Sequence, residues 1–279
     1  MTTNSATRVA VFLDEYSRDD TIAKYLRETA GAGIAYALTH VYAPVYRRIV
    51  QALIAQRPPR HTFRVLEYGC GGGMNLLKVI ELFRQAGVDA TGCGTDFSPP
   101  MIEAARQEAA RHLPSELRQA VRFAVAGNES LAQDLAKDLG CSRPEVDGSF
   151  DVVVGVNTFR YCHRLNKETE CARDIFDLLR PGGYSIMIDM NRRFPLFRSK
   201  VTDLLKRRPD YENHLPSLEE YTRPFALAGF RIVETRNFCW VPHSASPPLV
   251  AICRALTPVL DRCCSQFAMR ALVIAQKAS

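Results

Sequence analysis

The stretch from Phe63 to Asp96 restricts the possible folds more than any other part of the chain. It begins F-R-V-L-E-Y-G-C-G-G-G-M-N-L-L and closes with G-C-G-T-D. Residues 64–68 are predicted to form a short buried strand, and the apolar spacing over 74–85 predicts a helix. The glycines between them permit positive φ angles and let a ligand approach the main chain closely. This stretch therefore predicts a strand, a tight turn and a helix, with a ligand bound at the turn.

The glycine spacing excludes two common nucleotide-binding motifs. Counted from Gly69 or from Gly71, the sixth position is not a glycine, so the dinucleotide pattern fails. No Lys-Ser or Lys-Thr pair follows, which excludes a P-loop. Glu67 lies two residues before the first glycine, where a carboxylate would repel a diphosphate. An acid at this position suits a positively charged ligand, such as an ammonium or a sulfonium.

These residues resemble the class I S-adenosylmethionine (SAM)-dependent methyltransferases. The first motif of that family is acid-x-Gly-x-Gly-x-Gly, which Glu67, Gly69, Gly71 and Gly73 match, and its second strand ends on a ribose-binding acid, here Asp96. The later sequences F-D-V-V-V-G-V-N-T-F-R-Y and L-L-R-P-G-G-Y-S-I-M-I resemble its fourth-strand and fifth-strand motifs. The resemblance covers roughly residues 60–279.

Apolar strands alternating with helices predict an α/β fold with a doubly wound, mostly parallel seven-stranded sheet. In the family, the last two strands pair as an antiparallel hairpin, which implies a mixed sheet with an antiparallel last strand. The expected strands are 64–68, 90–95, 121–126, 150–156, 184–190, 230–239 and 268–276. The expected helices are 74–86, 98–112, 130–139, 168–179 and 218–229, and 248–261 has a helical apolar pattern.

Residues 1–60 precede this core and are expected to form an N-terminal helical lid, interrupted near Gly31 and Gly33 and again at Pro44. In similar methyltransferases such a segment commonly covers the site. We therefore expect at least one of three tyrosines to reach the cofactor or the substrate, with Tyr25 assigned to the cofactor: Tyr16, Tyr25 and Tyr36.

Residues 61–279 are expected to form one SAM-binding domain, with a basic insertion at 191–216 and closing strands and a helix at 230–279. The basic residues can attract a phosphate, a carboxylate or an RNA backbone, or can form a solvated helix surface. They are Arg192, Arg193, Arg198, Lys200, Lys206, Arg207 and Arg208.

Composition sets the expected environment. Hydrophobic residues make up 47% of the 279 residues and charged residues 24%, as in an ordinary globular protein. No run of eighteen apolar residues predicts a membrane span. The nine cysteines show no paired metal-ligand spacing, so we expect reduced thiols, no metal site and a cytoplasmic location.

The resemblance also implies roles for individual residues toward SAM. Glu67 would govern the methionine end, the three glycines would allow close approach, and Asp96 would accept hydrogen bonds from the ribose hydroxyls. Phe97 and Met101 would pack near the adenine, and Asn157 would line the pocket.

The adenine amino group usually contacts an acid after the third strand, in a Gly-Asp pair. The corresponding residues here are Gly127 and Asn128. An asparagine carbonyl can accept the same N–H, and Glu129 is the alternative if the alignment shifts by one residue.

Many small-molecule relatives place a histidine after the fourth strand, where this chain has Phe159-Arg160-Tyr161. Arginine stays protonated and is a poor base, but it binds a carboxylate or phosphate with two parallel hydrogen bonds. Arg160 is therefore expected to clamp an anionic acceptor; the alternative is an ion pair with Glu168 or Asp174 on the following helix.

Several other side chains are candidates for acid or base chemistry. Tyr161 and His163 follow Arg160 directly, although they can equally pack or cap the next helix. His243, in W-V-P-H-S, can enter the pocket from the closing hairpin, but a surface turn is the expected placement. His40 and His214 are weaker candidates.

The leading functional hypothesis is a SAM-dependent methyltransferase of specialised metabolism that acts on a small, anionic acceptor. Asn157-Thr158-Phe159-Arg160 lacks the Pro-Pro of enzymes that methylate amino nitrogens of nucleobases or glutamine amides. The alternatives are cleavage of another sulfonium bond (cyclisation or aminocarboxypropyl transfer), RNA methylation through the basic residues, and a non-catalytic SAM-binding subunit. A nucleic-acid partner is not expected.

Overall fold

The computed structural model describes residues 22–23, 30–57, 61–197 and 215–279. Its strands are β1 Phe63–Tyr68, β2 Ala90–Asp96, β3 Val121–Val125, β4 Phe150–Val156, β5 Leu179–Met190, β6 Arg231–Phe238 and β7 Arg270–Gln276. They form one sheet in the order β3-β2-β1-β4-β5-β7-β6. β1 to β5 pair in parallel, whereas β7 runs antiparallel to both β5 and β6. The predicted mixed seven-stranded α/β sheet is confirmed.

The helices cover both faces of the sheet. They are α1 Ala32–Tyr36, α2 Ala43–Gln56, α3 Met74–Gln85, α4 Pro99–His112, α5 Ser115–Arg118, α6 Leu131–Asp138, α7 Arg143–Val146, α8 Phe159–Leu165, α9 Glu168–Leu178, α10 Leu218–Leu227 and α11 Pro247–Cys264. One buried apolar cluster joins α2, α3 and α4 to the sheet, and another joins α6, α9 and α10 to the opposite face. Two such layers are what near-continuous apolar strands require.

Local sequence explains several helix boundaries. Ser98 caps α4 by accepting a hydrogen bond from the Met101 backbone N–H, and prolines occupy the first turn of that helix. α10 begins with a capping box between Ser217 and Glu220, each side chain bonding the other residue's backbone N–H. These helices begin where their capping residues place them.

The predicted break at Pro44 is wrong. A π-helical segment, Ala37–Tyr42, joins α1 to α2, so the chain remains helical from residue 32 to residue 56. Pro44 lies in the first turn of α2, and the altered hydrogen-bond ladder of the π segment precedes it. Gly31 lies just before α1, while Gly33 is buried inside that helix.

Two predicted regions are only partly described. Tyr16, Tyr25 and His214 lie outside the described residues, as do the basic residues from Arg198 to Arg208. Of the basic insertion, Arg192 forms an ion pair with Glu220 on α10. Among the residues described, no helix is both long enough and apolar enough to cross a membrane.

The sheet order determines where a ligand can bind. The strand order reverses between β1 and β4, so the loops after these two strands diverge and leave a crevice at their carboxyl ends. The glycine turn follows β1, and Asn157 follows β4. The residues expected to bind the cofactor therefore meet at this crevice.

Candidate functional site

The glycine turn between β1 and α3 has the left-handed backbone that its sequence requires. Gly69, Gly71 and Gly73 have φ angles of 59°, 51° and 76°. A Cβ added at Gly69 would lie 2.0 Å from the Thr158 Cγ2 atom, so a larger residue would collide with the loop after β4. Left-handed backbone and the close approach at Gly69 favour glycine at these positions.

Asp96 fixes the shape of the turn. Its Oδ2 accepts a hydrogen bond from the Gly71 backbone N–H at 3.0 Å, and its Oδ1 accepts one from Ser98 at 3.0 Å. Burial raises the pKa of Asp96 to about 6, although both backbone bonds favour the ionised form. A carboxylate oxygen accepts more than one hydrogen bond, so these contacts leave acceptor capacity for ribose hydroxyls.

Glu67 is almost completely buried, with 1% of its surface exposed, on the wall of a cavity of about 60 Å³. Its Oε1 accepts from the Asn75 side chain at 2.9 Å, and its Oε2 accepts from the Leu76 backbone N–H at 2.8 Å in the first turn of α3. Burial outweighs these bonds and raises the pKa of Glu67 to about 8. A cationic ligand group beside this carboxyl would restore the ionised form.

Asn75 connects Glu67 to the N-terminal helix. While its amide nitrogen donates to Glu67, its Oδ1 accepts from the Tyr46 hydroxyl at 3.0 Å. Tyr46 lies on α2 and is fully buried. The sequence analysis did not predict this contact. The feature that could have indicated it is Asn75 itself, a polar residue in the first helical turn after the glycine loop.

A second cleft, of about 600 Å³, opens beside the end of β3. Phe97, Asn128, Glu129 and Tyr161 line it. The Oδ1 atom of Asn128 is buried and, among the residues the structure describes, has no hydrogen-bond partner. A buried acceptor without a donor indicates a ligand N–H, as on an adenine amino group.

Asp134 organises the loop that carries Asn128. Its Oδ2 accepts from the Gly127 backbone N–H at 3.0 Å and from the Ser130 hydroxyl at 2.6 Å. Sequence reasoning did not identify Asp134, which lies a full helical turn beyond the loop. Met101 is buried in α4 and is not among the described residues that line this cleft.

Asp96, the unpaired Oδ1 atom of Asn128 and the turn that contains the three glycines together fit an adenosyl ligand. The buried acid in the smaller cavity fits a cationic group attached to that ligand.

Arg160 lies at the start of α8, beside the end of β5. Its backbone N–H and its Nη1 donate to the two carboxylate oxygens of Asp189 at 2.9 and 3.4 Å, and its Nη2 donates to the Tyr161 hydroxyl at 3.0 Å. The acid that pairs with Arg160 is therefore Asp189, and the expected alternatives, Glu168 and Asp174, are wrong. The cause is that α8 follows β4 directly, next to the carboxyl end of β5.

The two acids that had been expected to pair with Arg160 have other partners. Glu168 contacts His163 Nδ1 at 3.2 Å, and Asp174 accepts from Arg143 at 2.8 Å. His163 is half-buried in α8, and its contact with the Glu168 carboxylate fixes the position of the ring. Tyr161, by contrast, lines the larger cleft.

His243 lies in a turn, as expected, but the turn is half-buried and His243 forms part of the wall of the smaller cavity. Its Nε2 lies 3.1 Å from the Tyr42 hydroxyl at the end of the π-helical segment. Burial, reinforced by the positive charges of Arg270 and Arg160, holds the pKa of His243 well below its usual range. The imidazole is neutral at pH 7.

Arg270, at the start of β7, is another site residue that the sequence analysis did not identify. It is 3% exposed, and its Nη1 donates to the Asn157 Oδ1 atom at 2.6 Å. Asn157 lines the small cavity and has a left-handed φ of 61°. The sequence feature that could have indicated Arg270 is a charged residue at the start of a mostly apolar strand.

The remaining candidates lie farther from the chemistry. Tyr36 is half-buried and packs against the exposed His40, with ring centroids 5.1 Å apart. Neither of them lines the described part of the two cavities.

Residues 60–229 match the model of a protein family described as "Methyltransferase domain". A malonyl-[acyl-carrier protein] O-methyltransferase of Enterobacter lignolyticus is 27% identical over 160 residues, which are 56% of this chain and 51% of that protein. The non-reducing polyketide synthase sor2 of Hypocrea jecorina is 26% identical over 140 residues, 50% of this chain and 5% of the synthase. The chain thus spans about half the length of one curated relative and a small part of the other.

Among solved structures, the CMeT domain of the citrinin polyketide synthase is similar to this fold. It aligns with a TM-score of 0.60 and 17% identity, covering 95% of this chain and 59% of that one. At this identity the likeness shows a shared fold.

Proposed function

The chain belongs to the class I SAM-dependent methyltransferases, and we propose that it transfers the SAM methyl group to a small, anionic acceptor. SAM is the cofactor, and its sulfonium supplies an activated methyl group. Asp96, Asn128 and Glu67 would hold the ribose, the adenine and the methionine end. Because the methyl group is already activated, the protein's main contribution is to position the acceptor.

The observation that carries the anionic acceptor is the charge on the acceptor side of the site. Arg270 donates to Asn157, which lines the small cavity together with Tyr42 and His243, and the charges of Arg270 and Arg160 both lower the pKa of His243. Asp189 pairs with Arg160, whereas no carboxylate of the described chain forms an ion pair with buried Arg270. A buried charge without a counter-ion is costly, so this side of the site favours an acceptor that brings a negative charge.

The names of the curated relatives support an acyl acceptor. One is named for a malonyl group on an acyl carrier protein, and the other for polyketide synthesis. Malonyl groups carry a carboxylate, which matches the positive charge around Arg270. We therefore place the acceptor among small carboxylate-bearing acyl compounds of specialised metabolism.

Methyl transfer to paired acidic and esterified probes tests this proposal. The purified protein is incubated with SAM and either malonate, acetoacetate or their ethyl esters, and products are identified by mass spectrometry. We expect methylated acid and S-adenosylhomocysteine, with the esters reacting less. Release of methylthioadenosine would instead identify cleavage of another sulfonium bond, and equal rates for acid and ester would contradict the anionic acceptor.

A matched pair of arginine variants tests whether Arg270 provides the positive charge that binds the acceptor. Arg270→Gln should lower acceptor kcat/KM by roughly ten- to a hundred-fold, because a charge-assisted contact contributes about 1.5–3 kcal/mol. Arg254→Gln removes an exposed guanidinium on α11 and should leave the rate unchanged. S-adenosylhomocysteine affinity, measured for both, verifies that the cofactor site is intact.

A further inference from the structure

We propose that His243 and Tyr42 form the proton-accepting pair of the acceptor site, so that the acceptor reacts at an atom that arrives protonated. Such an atom belongs to a hydroxyl group or to an acidic C–H group beside a carbonyl. This inference rests on the proposed function and adds the reacting atom to it. A carboxylate bound near Arg270 would then be the anchor of the acceptor rather than its nucleophile.

The first argument is location. His243 and Tyr42 line the same small cavity as Glu67 and Asn157. Glu67 is the acid that suits the cationic end of the cofactor, so the pair faces the compartment in which the transferable methyl group is held. Of the described histidines, His243 is the one on this cavity, whereas His163 is bonded to Glu168.

The second argument is that the loop carrying His243 packs directly against α1. A Cβ added at Gly33 of α1 would lie 2.1 Å from the Pro242 carbonyl oxygen and 2.6 Å from that of His243. The loop backbone therefore rests directly on the helix, and any side chain at position 33 would displace it. Tyr42 is 3% exposed, with the Phe238 ring centroid 6.0 Å from its own.

The third argument is the protonation state. Burial, reinforced by Arg270 on β7 and Arg160 on α8, lowers the pKa of His243, so the imidazole is neutral at pH 7 and one of its ring nitrogens is unprotonated. Burial raises the pKa of the Tyr42 hydroxyl, which keeps its proton, although Arg270 opposes this shift and Cys239 and Asp189 reinforce it. In the tautomer whose Nε2–H donates to the Tyr42 hydroxyl oxygen, the Nδ1 lone pair of the neutral imidazole can accept a proton from a bound acceptor.

The proton and electron balance is simple. The acceptor's O–H or C–H bond breaks, the proton ends on the His243 imidazole, and the bonding pair forms the new bond to the methyl carbon. The electrons of the broken S–C bond remain on the sulfur of S-adenosylhomocysteine. The imidazolium then loses its proton to water, a step that the neighbouring guanidinium groups accelerate by lowering its pKa.

Proton exchange tests the pair without methyl transfer. Enzyme saturated with S-adenosylhomocysteine is mixed with acetoacetate in D₂O, and loss of the C2 proton signal is followed by NMR. We expect wild-type exchange at least tenfold above buffer, because general base catalysis contributes about 10²–10⁴-fold. The exchange rate should fall by about a hundredfold in His243→Gln and by a smaller factor in Tyr42→Phe. It should also fall in Gly33→Ala, because the added methyl group displaces the loop that carries His243.

His40→Gln is the matched control, since it removes an exposed imidazole outside both cavities and should exchange at the wild-type rate. A thermal shift with S-adenosylhomocysteine shows that each variant is folded. Exchange that is absent in the wild type, or that survives in His243→Gln, overturns the pair. Methyl transfer to acetoacetate without exchange would overturn the pair alone, whereas failure to bind S-adenosylhomocysteine would overturn the proposed function itself.

Discussion

Binding of SAM at pH 7 is expected to release close to one proton from Glu67. With a pKa of about 8, this carboxyl is about 0.9 protonated at pH 7 in the unliganded protein. A cationic ligand group beside it favours the carboxylate, so the proton leaves as the ligand binds. Asp96, with a pKa of about 6, is already about 0.9 ionised at pH 7 and contributes little.

Isothermal titration calorimetry measures this proton directly. The apparent binding enthalpy is determined at pH 7 in buffers of different ionisation enthalpy, and its slope gives the number of protons exchanged. The amino group of SAM also titrates near this pH, so the informative quantity is the wild-type value minus that of Glu67→Gln. We expect a difference of about 0.9 proton at pH 7 and about 0.1 at pH 9.

The raised pKa of Glu67 also makes the stability of the unliganded protein depend on pH. The folded-state pKa of Glu67 lies above its ordinary value of 4.5, so the stability that protonated Glu67 provides is present below that value and is lost as the pH rises through about 8. By pH 7 the loss is about 3 kcal/mol. Glu67→Gln should lack this dependence in denaturant titrations between pH 5 and pH 8. A proton difference near zero, together with identical pH dependence in both proteins, would refute the reasoning about Glu67.

Three further outcomes are expected. Asp96→Ala should lose most of the melting-temperature increase produced by SAM, measured by scanning calorimetry, because the ribose hydroxyls lose their acceptor; an unchanged increase would show that the ribose binds elsewhere. Arg160→Lys should lower acceptor kcat/KM by roughly ten- to a hundred-fold at saturating SAM, since one ammonium cannot replace a planar guanidinium; a wild-type value would exclude the clamp. Tyr46→Phe should destabilise the protein by about 1–3 kcal/mol in urea titrations by leaving the buried Asn75 acceptor unpaired, and no change would contradict that anchor.

The sequence predicted most of the sheet because the central strands are largely buried on both faces and carry apolar residues at most positions. β4 occupies 150–156, as expected. β5 begins at Leu179 rather than at 184, because the chain keeps extended pairing with β4 across a register irregularity. Arg-Pro-Gly-Gly within that segment favours a turn, so local propensity could not predict the longer strand.

The cofactor side and the acceptor side of the site differed in how far sequence could predict them. Glu67 and Asp96 lie next to the glycine turn or at a strand end, so their positions follow from local structure. Tyr42, His243 and Arg270 come from three elements far apart in the chain, and only the folded sheet brings them together. No local pattern marks such a contact.

The π-helical segment Ala37–Tyr42 has an evolutionary consequence. A π turn holds one more residue than an α turn, and successive helix residues differ by about 100° around the axis. Because the extra residue is held within this one turn, loss of a single codon here would restore an α turn and leave Ile34, which lines the small cavity, in the same orientation relative to α2. Tyr46 and its bond to Asn75 would stay in place. A one-residue deletion within this segment is therefore expected to preserve both the cavity wall and the cofactor site, whereas the same deletion from an α-helical turn would rotate the residues before it by about 100°.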